Sequence, residues 1–308
     1  MRPRQLARAC CAAAIVLTVW LQPALAGARR APQDAQKPPG ARAGALEIVV
    51  PPPGVTQEIV LKDGTTAYGR VERIDGARVV FETTTGGTLE VDAAQVVSLK
   101  PVQGSMSRGA FLAADPNPTR LFFGPTARSL PAGGGYVAVY EVFLPQVQVG
   151  VTDWLSLGAG TPLFFGDGSE RPVWVTPKLR VFDTGRTQGA LGVMHFFNVG
   201  DGNLGIAYGV LTRGSRDSGV TVGAGYAYDR TSGDVDGAPV GMFGGEHRVS
   251  RRVKLVTENY VFEGGGLGSF GVRFLGDRLS ADLGLVVPLG MGETVAFPMI
   301  NFVYRFGR

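Results

Sequence analysis

The chain has 308 residues, 44% of them hydrophobic and 18% charged, with 46 glycines, two cysteines, two histidines and a formal net charge of +4. The glycine share is about twice the ordinary ~7%. The charge is too small and too dispersed to mark a nucleic-acid-binding protein. No later run of eighteen apolar residues follows the N-terminal segment, so the chain offers no helical membrane span.

Arg2, Arg4 and Arg8 precede an apolar stretch from Ala9 to Leu21. Ala24-Leu25-Ala26 then supplies small residues before Gly27. This is the pattern of a cleavable secretory signal peptide over residues 1–26. Cys10 and Cys11 both lie within it, so the processed chain is expected to hold no disulfide and no thiolate metal site. Removal of three arginines leaves 27 basic residues against 26 acidic ones, a charge of +1.

Residues 27–57 are rich in Ala, Pro, Gly and Gln and read as an extended linker that cannot bury a core. From 58 to 100 the pattern changes to five short segments rich in Val, Ile, Leu and Thr: Glu58–Lys62, Thr65–Ile74, Ala77–Thr84, Thr88–Val91 and Gln95–Lys100. Asp63-Gly64, Asp75-Gly76 and Gly86-Gly87 punctuate them with residues that tolerate positive φ. The "LKDGTTAYGRV" strand pair followed by the "GGTLEV" hairpin resembles the small SH3-like or Sm-like β-domains. Tyr68, Arg70 and Arg73 do not amount to an aromatic–basic cluster, so an RNA role is not expected. A periplasmic protein is the expected partner for residues 58–100. Residues 101–118 read as a second linker.

From 119 to 308 the sequence predicts twelve strands: Thr119–Thr126, Tyr136–Val149, Trp154–Phe164, Val173–Phe182, Thr187–Asn198, Leu204–Thr212, Ser218–Asp229, Ala238–Val249, Val253–Phe262, Leu267–Leu275, Leu279–Leu289 and Val295–Phe306. Every second connection is a tight polar turn, such as Gly150–Asp153, Asp183–Arg186 and Gly214–Asp217. Those between, including Val199–Asn203, Arg230–Gly237 and Glu263–Gly266, are mostly longer and looser. Period-two alternation marks strands with two different environments. Tight turns at one end and looser loops at the other match an up-and-down transmembrane barrel. The fold class is therefore all-β: a small SH3-like barrel, then an antiparallel outer-membrane β-barrel of about twelve strands. An even strand number returns both barrel termini to the tight-turn side, assigned to the periplasm.

"NPTRLFFGPTARSL" followed by "GYVAVYEVFLPQVQVGVTDWLSLGAG" resembles the opening of a group of uncharacterised bacterial outer-membrane β-barrels. The final strand resembles the aromatic C-terminal signal of such proteins, although Gly307 and Arg308 follow Phe306. No activity accompanies the resemblance.

In such a barrel the apolar face meets lipid and the small or polar face the lumen. Leu204, Ile206, Tyr208 and Val210 are thus expected outside. So are Val220, Val222, Ala224 and Tyr226, Leu283 and Leu285, and Ile300, Phe302, Tyr304 and Phe306. The aromatics Tyr136, Trp154, Trp174, Phe196, Phe197, Tyr228, Tyr260 and Tyr304 are expected in interfacial girdles. The lumen would receive Glu141, Lys178, Arg180, Lys254, Glu258, Arg273, Asp282 and Arg305. Outward charge would cost about 2–4 kcal/mol at mid-membrane for Arg or Lys.

Inward charges admit two readings: pairs that close a filled barrel, or the lining of a narrow porin-like path. The expected partners are outer-membrane lipid outside and, for the small domain, an envelope protein. No cofactor or metal site is expected, since no dinucleotide, phosphate-loop or zinc signature occurs. The acidic stretch Asp229–Asp236 is expected to be solvated. The alternative function is an outer-membrane lipid hydrolase. That chemistry needs a nucleophile beside a base, and neither His195 nor His247 (with Ser250 three residues on) shows such a pattern. The chain is therefore read as non-enzymatic.

Overall fold

The computed structural model describes residues 48, 50, 51, 55–102, 104–107, 110–164, 171–200, 202–231, 234–290 and 295–307. The expected signal peptide, nearly all of the 27–57 linker and most of the loop after Phe164 lie outside them. The described chain divides into two compact units between Leu112 and Ala113.

The smaller unit is built on an antiparallel sheet of β1 (Thr56–Leu61), β2 (Thr66–Asp75), β3 (Arg78–Thr83), β4 (Thr88–Asp92) and β5 (Val96–Val102). The strands run in the order β4-β3-β2-β1-β5. Each boundary falls within two residues of the sequence expectation, because the glycines fix the turns. Gly64, Gly76 and Gly86 all have positive φ, at 87°, 60° and 86°, which a side chain disfavours. A one-turn 3₁₀ helix at Ala93–Gln95, capped by the Asp92 carboxylate accepting from the Ala94 N–H, swings β5 back beside β1. Ile59, Leu61, Val71, Val79, Phe81, Val91 and Val96 form its core. Residues 101–113 are more regular than a linker: β6 (Gly104–Ser107) and β7 (Ala110–Ala113) pair with each other, and Phe111 stacks on Tyr68 with centroids 4.4 Å apart.

The larger unit is a closed antiparallel barrel. Its strands are β8 (Gly135–Tyr140), β9 (Leu144–Gly150), β10 (Leu155–Gly160), β11 (Val173–Val175), β12 (Lys178–Asp183), β13 (Thr187–Val199), β14 (Gly202–Gly214), β15 (Ser218–Thr231), β16 (Asp234–Ser250), β17 (Val253–Phe262), β18 (Gly265–Leu275), β19 (Leu279–Leu289) and β20 (Phe297–Phe306). β20 pairs with β8, which closes the ring. β11 and β12 are halves of one wall strand interrupted at Thr176-Pro177, since both lie between β10 and β13. Proline has no N–H for the ladder. The wall therefore has twelve strands.

The number agrees with the sequence expectation, but two of its parts do not. Thr119–Thr126 is not a wall strand. It folds into a tight loop whose only ladder element is an isolated bridge between Arg120 and Pro125. The expected long strand Tyr136–Val149 is instead the hairpin β8–β9, turning at Glu141 and Val142 with φ of 50° and 68°. The expected looser connections after β13, β15 and β17 also shorten. Strand pairing runs to Val199–Gly202, Thr231–Asp234 and Phe262–Gly265, leaving two residues in each.

The outer face carries the apolar set. Large side chains such as Leu211 (47% exposed), Phe270 (58%) and Val220 (61%) stand outward around the ring. A soluble protein does not leave so continuous an apolar surface uncovered. A closed sheet with every ladder group paired is what hydrocarbon requires, and this is a transmembrane barrel of the outer-membrane type.

The wall is not of even height. β8, β9 and β10 have six, seven and six residues, against ten to seventeen in β13–β20. β20 pairs with β8 only from Asn301 to Phe306. Where β8 runs out, the Glu141 N–H donates to Asn301 Oδ1 at 3.3 Å.

Candidate functional site

The lumen is occupied by the chain's own segment from Asp115 to Leu130, which is buried almost throughout. Its tip is the loop Leu121–Gly124, closed by a Leu121 N–H to Gly124 carbonyl bond of 2.9 Å and by Thr126 N–H donating to the Thr119 carbonyl at 2.9 Å. The tip presents three consecutive backbone N–H groups to one carboxylate oxygen. Phe122, Phe123 and Gly124 donate to Glu258 Oε2 at 2.8, 3.1 and 2.9 Å, and Tyr260 Oη donates to Oε1 at 2.8 Å. Successive N–H groups in a turn make a concave anion seat. Here they satisfy a carboxylate that burial would otherwise penalise heavily. Gly124 lets the tip approach closely: a Cβ there would lie 2.6 Å from both Met242 Sδ and Tyr260 Oη, so those side-chain ends would have to move.

Four cations on the plug and wall tie the rest. The three Lys178 Nζ donors go to the carbonyls of Thr119 (3.2 Å), Thr126 (3.0 Å) and Arg128 (2.7 Å). Arg273 forks onto Asp282, with Nε–Oδ1 at 2.7 Å and Nη2–Oδ2 at 3.0 Å. Its remaining N–H groups donate to Asp115, to the carbonyls of Asn117 and Arg120, and to the Leu121 carbonyl. Lys254 joins Asp115 at 2.8 Å and Glu246 at 2.9 Å, and Glu246 also pairs with plug residue Arg128. Lys254, Arg273, Asp282 and Asn301 are cross-strand neighbours in one row over β17–β20. The strand register therefore builds this clamp.

Apolar contacts complete the seal. Leu121 and Phe122 pack with Val256, Leu267, Val286 and Met299. Ala127 packs with Ala190, Val210 and Met242, and Leu130 with Tyr136, Trp174 and Val303.

Of the eight charged residues singled out from sequence, Lys178, Lys254, Glu258, Arg273 and Asp282 are buried and touch the plug, or in the case of Asp282 hold Arg273. Arg180 pairs with Asp183 at 2.8 Å, and its guanidinium lies 4.7 Å from the Trp154 ring. Arg305 lines a cavity at the tight-turn end. Glu141 lies in the β8–β9 turn, at the strand seam. The sequence reading missed Asp115, Arg120, Arg128 and Glu246. The first three stand in segments whose composition reads as linker, strand and loop, whereas Glu246 is legible as the inward neighbour of His247.

The plug also reverses some orientations. Val210 on β14 is buried inward and Tyr208 packs beside it, while Leu211 faces out, opposite to the expected sides. Tyr136, Trp174, Phe196 and Tyr260 point into the plugged interior rather than to girdles. Tyr304, Phe197 and Tyr228 lie on the outer side, whereas Trp154, exposed at the tight-turn end, shares the face of its cross-strand neighbour Arg180.

His195 Nδ1 lies 2.8 Å from Tyr228 Oη on that outer side, and His247 Nδ1 lies 3.0 Å from Ser218 Oγ on the exposed face of the β15–β16 pair. The serine beside His247 is thus Ser218, across the ladder, and not Ser250. No acidic side chain orients either imidazole among the described hydrogen bonds. Among the described residues no group of three or more His, Cys, Asp or Glu could hold a metal.

Closed wall, apolar exterior and charged, internally filled lumen define an outer-membrane β-barrel with a plug supplied in cis. No protein-family model and no curated protein matches the sequence. Among solved structures the chain is similar to the KdgM porin (8% identity, TM-score 0.43), covering 56% of this chain and 98% of that one. It is similar to the NanC porin at 10% identity and TM-score 0.40, covering 57% and 100%. For the outer-membrane channel DcaP of Acinetobacter baumannii the values are 8% and 0.30, covering 82% and 94%. At such identities and scores no residue role and no solute carries over.

Proposed function

We propose that this protein is a porin-type outer-membrane channel held shut by its own segment Asp115–Leu130. It is non-enzymatic and carries the five-stranded module as a periplasmic, SH3-like interaction domain. One observation carries the reading: four wall side chains, Lys178, Lys254, Glu258 and Arg273, spend their hydrogen bonds chiefly on this plug and its buried ion pairs. A barrel needed only as a structural shell could fill its interior with wall side chains, as narrow barrels do. A threaded segment held mainly through its backbone groups is a removable obstruction. The tight turns and the start of the plug segment at Ala113, whose carbonyl accepts from Arg248, share one end of the barrel, consistent with that end facing the periplasm.

The test is conductance in planar bilayers. The processed chain should be silent or nearly so, and a variant lacking residues 115–130 should give discrete steps. Large steps from the intact chain would overturn the plugged state. Silence from a deletion variant that still shows heat-modifiable gel mobility would overturn the channel and leave a structural barrel.

A further inference from the structure

The tight-turn end of the barrel carries a one-sided basic rim. Arg186, Arg213, Arg216, Arg251, Arg252 and Arg278 are all exposed there, in or beside the connections β12–β13, β14–β15, β16–β17 and β18–β19. Backbone bonds stitch these connections into one arc. The Gly214 N–H donates to the Arg186 carbonyl at 2.9 Å and the Arg248 N–H to the Asp217 carbonyl at 2.7 Å. The Leu275 N–H donates to the Arg252 carbonyl at 2.8 Å and the Arg305 N–H to the Arg278 carbonyl at 2.7 Å. The β9–β10 connection, residues 151–154, has no basic residue, so the arc follows the taller part of the wall.

The acidic residues of the arc are Asp183, Asp217 and Asp277. Asp183 pairs with Arg180 at 2.8 Å and Asp217 with Arg248 at 2.6 Å, so neither neutralises the six. None of the six guanidinium groups has a carboxylate partner among the described ion pairs. Like charges along one edge repel one another unless counter-charge gathers beside them. The opposite end has the reverse sign: segments 165–171, 199–203, 230–237, 263–266 and 290–293 hold seven acidic residues against two arginines.

Position supplies the partner. Arg213 stands opposite Val220 in the β14–β15 register, and Val220 is 61% exposed on the lipid side. Arg278 adjoins Leu279, whose cross-strand neighbour Tyr304 also faces outward. The charged arc therefore borders the apolar exterior, where hydrocarbon gives way to headgroups. We infer that it is a docking surface for anionic glycerophospholipid, its guanidinium groups seated on phosphodiesters of the leaflet that meets this end. These turns hold arginine and no lysine. A guanidinium fork donates two parallel bonds to a phosphate, whereas an ammonium acts as a point charge. The surface binds lipid whether or not the lumen conducts.

Electron spin resonance on the full processed chain, refolded in phosphatidylcholine vesicles with spin-labelled phosphatidylglycerol or phosphatidylcholine as probe, tests it. Phosphatidylglycerol should associate about threefold more strongly, and the preference should shrink as NaCl is raised. Arg251→Gln/Arg252→Gln/Arg278→Gln should remove about half of the preference with heat-modifiable mobility retained. Arg171→Gln/Arg230→Gln, at the opposite end, should keep it. Equal association of both lipids with the unsubstituted chain overturns the surface. So does a preference unchanged in the triple variant, or an equal loss in the opposite-end variant. Should the triple variant fail to fold, Arg186→Gln/Arg216→Gln decides. Both side chains lie in exposed turns, and an undiminished preference refutes the proposal.

Discussion

Glu258 shows most plainly how a single side chain decides the state of this barrel. Its carboxylate collects three plug N–H groups and one tyrosine hydroxyl, and losing it leaves those donors buried without acceptors. Each such group costs about 1–3 kcal/mol. Glu258→Leu should therefore lower the denaturation temperature of the barrel in heat-modifiability gels and expose the tip loop to protease. An unchanged transition would show that the tip is not held by this seat. Gly124→Leu attacks the same contact by volume, since even a Cβ would displace the ends of Met242 and Tyr260, the tyrosine that donates to Glu258. It should release the plug while leaving the wall folded, read as the appearance of conductance.

At the scale of the strand, period-two alternation was a reliable guide where one face meets lipid. β15, β19 and β20 turn the sides the sequence predicts, and the small sheet follows its glycine turns. What failed were places where distant contact outranks local pattern. "TRLFFGPT" alternates as well as any strand, but only the lumen's charges, contributed by strands fifty to over a hundred residues away, make it a plug. The β8–β9 turn has Glu141 and Val142 in left-handed conformations, which no turn residue announces. β14 was reversed because an occupied lumen has an apolar interior of its own. Cysteine substitution reads this directly: Ala207→Cys should react with a lipid-phase maleimide and Tyr208→Cys should not, and the opposite pattern would restore the sequence-based orientation. Phe270→Arg, in the middle of β18's outer face, should destabilise folding into vesicles by about 2–4 kcal/mol, whereas near-neutrality would mean that this face does not meet acyl chains.

On the scale of the whole molecule, the protein is two β units in series, with a plug as the first part of the second. The twelve-strand total was legible although its composition was not. The strand lost to the plug was replaced by the hairpin hidden inside a fourteen-residue apolar stretch. Chain order helps explain the arrangement. The plug precedes β8 directly, so the segment that fills the lumen is tethered beside the seam where β8 meets β20.

That seam lies on the low side of the wall. Six residues of tilted strand rise only about 15 Å, against an apolar band of about 25 Å in barrels of this kind. The leaflet beside β8–β10 must therefore dip to meet the protein, and the bilayer bears an asymmetric strain around its circumference. Refolding should be faster and more complete in vesicles of dilauroyl than of dioleoyl lipids, with equal yields in both as the contrary result. In a continuous membrane the cheapest relief of such a dent is to share it, which would draw the low flanks of neighbouring molecules together.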